Sequence, residues 1–174
     1  MIPMQRKELH MKKWILMSMV LVLALSLLAC TTEPPTAAFE AYRANGATVE
    51  LGAEAAPILD ALGACRASAA TNSCYGDGYD VVYEYESFRV QTYSLNGVEY
   101  ILSVTVFDDT NPQNATTAEG ISIGATKASV IETYGTPDGE DSFKLVYINE
   151  AIKTNLQFSI SDGIVTKIDY LKAE

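Results

Sequence analysis

Nucleophilic chemistry in this chain has to be done without histidine. The one histidine, His10, precedes the apolar run Trp14 to Leu28, so a chain cut after that run keeps none. Ser-His-Asp and Cys-His catalysis and every His-containing metal motif are then excluded. Lysine or carboxylate mechanisms remain open, but no paired signature for them is present. Residues 108–119 have the length of a calcium loop with acids at both ends. Pro112 and Gln113 stand where a ligand and a glycine are needed, so the stretch reads as a solvated linker. Asp138 to Asp141 reads as a turn. Asn114-Ala115-Thr116 matches a glycosylation sequon, which carries little weight here. The expectation is no catalytic residue, no metal and no cofactor.

Tyrosine and cysteine carry the remaining chemical interest. Tyr75, Tyr79, Tyr83 and Tyr85 crowd one stretch, and Tyr83 and Tyr85 share a face if it is a strand. Two readings stand: they cover the core, or they form an exposed binding strip. Cys65 and Cys74 pair most simply as a disulfide in an exported chain, with two free thiols as the alternative. The intervening residues 66–73 are rich in Ala, Ser, Thr and Asn, have no apolar anchor, and read as a loop that such a bridge would staple.

Export is read from the N-terminus. Lys12 and Lys13 precede the apolar run, which ends in Leu27-Leu28-Ala29-Cys30. This ending resembles a bacterial lipobox, and the resemblance implies cleavage before Cys30 and lipidation of its thiol. A transmembrane anchor is the alternative. Met11-Lys12-Lys13 is itself a plausible start. Cleavage would remove four basic residues and one acidic one, taking the formal net charge from −10 to −13. So acidic a surface argues against nucleic acid and against anionic headgroups. Membrane contact is expected through the lipid.

The elements that must hold these residues come in two sets. Ile123 to Gly135 aligns without gaps on Leu51 to Gly63, keeping both glycines and the apolar triplets Val130/Ile131/Tyr134 and Ile58/Leu59/Leu62. Each copy predicts a short helix stopped by glycine, and Thr126 is a natural N-cap for the second. Pro57 fits a first helical turn. Neither helix is long enough to stand alone, so each needs a sheet. Strands are expected at 81–86, 88–94 and 98–107, then at 143–148, 154–160 and 164–171. Asn45-Gly46, Asn96-Gly97 and Asp162-Gly163 mark hairpins. Three-residue loops at the last two, pairing Val90 with Leu102 and Phe158 with Thr166, would place apolar residues on one face.

The stretch from Ile123-Gly124-Ala125-Thr126-Lys127 to Gly135-Thr136-Pro137 resembles the Gly-x-Thr/Ser-x-x-x-Val…Gly-x-Pro signature of two groups. These are the SmpA/OmlA-type lipoproteins of outer-membrane barrel assembly and the β-lactamase-inhibitor-like fold. The chain also resembles uncharacterised acidic lipoproteins of Gram-positive anaerobes. The resemblance implies helix-plus-sheet units in tandem, and it carries no contact residues because the motif is structural.

The expected fold class is α+β, with two tandem repeats, each a short helix on an antiparallel sheet. Residues 1–29 form the signal peptide, 30–38 a lipidated tether, 39–107 the first repeat, 108–119 a linker and 120–174 the second repeat. The expected function is a non-catalytic, lipid-anchored, extracytoplasmic cell-envelope protein that binds a protein or ligand. The membrane, through the lipid, and an envelope protein are its expected partners. A carboxylate- or lysine-based enzyme with a site between the repeats, and a purely structural envelope component, are the alternatives.

Overall fold

The computed structural model describes residues 41–74, 77–107 and 115–172, apart from the Ala41 side chain. The chain divides into two compact units, Met1–Glu33 and Pro34–Glu174, and every described residue belongs to the second. The signal segment, Cys30, the tether, Tyr75 and residues 108–114 lie outside the described residues. Among the described residues no helix is long and apolar enough to cross a membrane.

Strands β1 (Ala41–Ala44), β2 (Ala47–Glu50) and β7 (Ala115–Thr117) form a small sheet in the order β2-β1-β7. Helix α1 (Ala55–Leu62) follows β2. Then come β3 (Ala67–Asn72), β4 (Tyr79–Glu84), β5 (Phe88–Leu95) and β6 (Val98–Val106). Helix α2 (Lys127–Tyr134) leads to β8 (Gly139–Glu140), β9 (Lys144–Asn149), β10 (Thr154–Ser161) and β11 (Ile164–Lys172). Both helices end at their glycine. The Gly63 N–H donates to Leu59 and Asp60 carbonyls, and the Gly135 N–H to that of Ile131. Thr126 caps α2 by accepting the Ser129 N–H at 3.1 Å, as its hydroxyl position suits.

The expected class of two helix-on-sheet repeats does not hold. The described chain is mostly β, and its long strands join in one antiparallel sheet, β3-β4-β5-β6-β11-β10-β9-β8. The joint is the β6–β11 pairing, where Val104 meets Tyr170 and Val106 meets Ile168. Taken separately, the two meanders would each end in an apolar strand with unpaired backbone groups. Joining them satisfies both edges and buries all four side chains. The turn Asp138 to Asp141 holds the edge strand β8, and β7 falls within the stretch 108–119.

The hairpin registers also differ from expectation. Leu95 pairs with Val98 and Ser161 with Ile164, so Asn96-Gly97 and Asp162-Gly163 are two-residue turns with positive φ at all four residues. That twist matches the strands it joins. Left alone, these turns would set apolar against polar residues. A bulge between Gln91 and Thr92, and another between Ser159 and Ile160, shifts the pairing by one. Val90 then meets Val104 and Phe158 meets Ile168, not Leu102 and Thr166. The apolar face is recovered two positions from the expected pairs.

One face of the large sheet is covered. A row runs Tyr83, Val90, Val104, Tyr170, Leu156, Tyr147, and five of these six are fully or nearly fully buried. Tyr42 of β1 sits over this row, 6.1 Å from the Phe88 ring and 6.0 Å from that of Tyr170. Leu62 of α1 with Val130 and Tyr134 of α2 complete the same core. The opposite face carries the row Ala67, Glu84, Arg89, Thr105, Asp169, Gln157, Val146, Gly139, one residue from each of the eight strands. Alternation puts polar groups there because the strand period is two.

Candidate functional site

Of the four tyrosines singled out in the sequence, the three that are described differ in exposure along β4 and just past it. Tyr75 lies outside the described residues. Tyr79 opens β4 in solvent, 59% exposed. Tyr83 is half-buried and donates its hydroxyl to the Glu99 carboxylate at 3.1–3.2 Å, where Thr92 Oγ1 also donates at 2.9 Å. Burial first, then the Glu99 charge, pushes the Tyr83 phenol up to about 12. Tyr85 is in the core, stacked on Phe88 at 4.6 Å with its plane tilted by 9°. Burial raises its phenol, and the nearby Cys65 adds to that.

The expected Cys65–Cys74 bridge is not formed. Both thiols are free, Cys65 partly buried beside the core and Cys74 exposed. The segment between them is not a loop but β3, paired along its length with β4. Six extended residues span about 20 Å, while a disulfide needs its Cα atoms within roughly 7 Å. The strand holds the two sulfurs apart. Ala67 to Asn72 alternates no apolar residues because every side chain of β3 is exposed, which is why its sequence resembles a loop.

Among the described residues a concavity lies where α1, β3, β4 and β5 meet. A cavity of about 410 Å³ is lined by Asn45, Leu62, Ala64, Arg66, Tyr85, Glu86, Ser87 and Phe88. A second, of about 340 Å³, is lined by Arg66, Ala67, Glu84, Tyr85, Glu86 and Phe107. They share Arg66, Tyr85 and Glu86. Local bonding builds this corner: the Tyr85 N–H donates to the Phe88 carbonyl at 2.9 Å, making a tight turn that turns Glu86 outward. The Phe107 N–H donates to the Ser87 carbonyl at 3.1 Å, and the Arg66 N–H to that of Glu84 at 2.7 Å. The Arg89 guanidinium lies 3.9 Å from Glu84 and 5.2 Å above the Phe107 ring. Arg66 has no carboxylate partner among the described residues.

This corner provides a free guanidinium, two flanking carboxylates, a hydroxyl and an aromatic floor. Among the described residues no cluster of three or more His, Cys, Asp or Glu side chains could hold a metal. Arg66, Glu86 and Phe107 were not legible as site residues. One signal was available: Arg66 is the only charged residue between Asp60 and Asp77. The Gly124–Pro137 motif lies elsewhere and is structural. The Gly124 N–H donates to the Val165 carbonyl at 2.9 Å, and the Val165 N–H returns a bond to Ala125 at 2.8 Å. No family model, no curated protein and no solved structure matches this chain.

Proposed function

We propose that this chain is a lipid-anchored protein of the bacterial cell envelope whose folded domain is a binding module. The lipobox ending at Cys30 supports the anchor, together with an acidic composition that gives the domain no other strong membrane affinity. The observation that carries the binding reading is the pair of contiguous concavities around Arg66. They bring a cation with no carboxylate partner among the described residues to an aromatic-floored corner of the large sheet. A guanidinium with no carboxylate partner among the described residues is available to a ligand. The partner is an envelope protein presented outside the cytoplasm.

Two measurements test this. The full chain and its Arg66→Glu variant, bound to beads in detergent, are offered the same envelope extract. The reading requires at least one protein recovered by the first and lost by the second, and identical recovery overturns it. Cys30→Ser is expected to move the protein from the membrane fraction to the soluble one. Continued sedimentation after a salt wash would refute the anchor.

A further inference from the structure

The two edges of the large sheet are unlike. β8 is two residues long and is bracketed by Pro137, Asp138 and Asp141, the features that blunt an edge. β3 is six residues long, uncharged, and exposed throughout. The Ser73 N–H donates to the Gly78 carbonyl at 3.0 Å, in register with the β3–β4 ladder. That bond sets the phase: Ala67, Ala69 and Thr71 direct their backbone groups to β4, and Ser68, Ala70 and Asn72 direct theirs to the open side. Those outward N–H and C=O groups have no partner among the described residues. Arg66 stands at the N-terminal end of this edge, beside the larger cavity.

We propose that β3 and the Arg66 corner together bind an extended peptide segment ending in a free C-terminal carboxylate. The proposal rests on the binding reading above and names its occupant. The segment adds antiparallel to β3, because only that direction brings its C-terminus to Arg66. Its carboxylate meets the guanidinium, the one cation at this corner with no carboxylate partner among the described residues. Its last side chain, aliphatic or aromatic, enters the cavity floored by Leu62, Tyr85 and Phe88, all buried. Glu84 and Glu86 flank the same cation, so lysine or arginine just before the last residue is favoured and an acid there is rejected.

The test uses the full chain in detergent micelles and a library of short synthetic peptides with randomised final residues. The library is made with free and with amidated C-termini. The expected result is selection of an apolar last residue and a loss of at least about tenfold on amidation, the scale of a charge-assisted bond. Arg66→Ala should cost the free peptide the same factor and the amidated one nothing further. The outward Ala70 N–H makes no ladder bond, so Ala70→Pro should keep the melting temperature while abolishing binding. Amide exchange at Ser68, Ala70 and Asn72 should slow on binding. Equal binding of the two peptide forms, or no selected peptide, overturns the proposal. So does a dimer of the free chain that Ala70→Pro dissociates, since a second copy would then occupy the edge. If the peptides fail while envelope capture still depends on Arg66, this inference falls and the binding reading stands. If both fail, both fall.

Discussion

Thr105 donates its hydroxyl to Asp169 across the β6–β11 pairing, at 2.9 Å. The two residues are opposite each other at the joint of the large sheet, and Asp169 is only 9% exposed. Lys167 Nζ reaches the other carboxylate oxygen at 2.8 Å. A nearly buried carboxylate needs both partners. Thr105→Val keeps the shape and removes the donor, so it should destabilise by about 1.5 kcal/mol, the scale of a hydrogen bond to a charge. Urea unfolding, with an unchanged slope, is the check.

Gly163 isolates the cost of the turn itself. Its φ is +76° and nothing lies within 4 Å of an added Cβ. Gly163→Ala therefore adds no clash and should cost about 1–2 kcal/mol through the left-handed backbone alone. Gly97, at φ +77° and equally unobstructed, should respond by the same amount. Thermal melts of the two variants should agree, and a much larger loss in either would mean that its turn does more than reverse the chain.

The turns and helix ends of this fold were legible, for local reasons, while its class was not. Asn-Gly and Asp-Gly pairs announce their turns, and Thr126, Gly63 and Gly135 mark helix ends through their own backbone chemistry. Alternation correctly placed Val90 and Phe158 on the buried face. It could not give their partners, because a bulge preserves the face while moving the register. Two features were hidden because they are not local. β3 buries no side chain, so its alternation carries no signal. The β6–β11 joint pairs residues such as Val104 and Tyr170 that lie far apart in the chain, and nothing in either strand names the other. The Arg66 corner was hidden for the same reason, since Tyr85, Phe88 and Phe107 are gathered there by the sheet.

The cysteines give a direct chemical test. Both are free, so iodoacetamide should label Cys65 and Cys74 in the unreduced protein, Cys74 faster because it is exposed. Peptide mapping before and after reduction should give the same labelling. A bridged peptide in the unreduced sample would show that β3 does not persist as a strand, because the strand keeps the sulfurs apart.

High pH should unfold this domain through its phenols. Burial and then Glu99 push Tyr83 up to about 12, and burial and then Glu140 and Asp138 do the same for Tyr147. Burial, followed by the neighbouring Tyr170, raises Tyr42 and Tyr134 well beyond the ordinary range. An unfolded phenol loses its proton near 10. Below that pH both states hold the proton and the phenols leave stability unchanged. As pH rises from about 10 toward 12 the unfolded chain ionises first, and stability falls. Melting temperatures should drop as pH rises above about 10. The tyrosinate absorbance of the buried phenols should appear only with unfolding, and early titration of all tyrosines would contradict the burial.

The unequal edges of the large sheet also set a stoichiometry. A sheet that can accept a strand on either side is a bifunctional monomer, and repeated addition propagates into a fibre. Here Pro137 and the acids around β8 close one side, leaving the large sheet monofunctional. Any strand that docks on β3 therefore ends growth. Such a sheet can keep one edge open, even at high concentration, without becoming a link in a polymer.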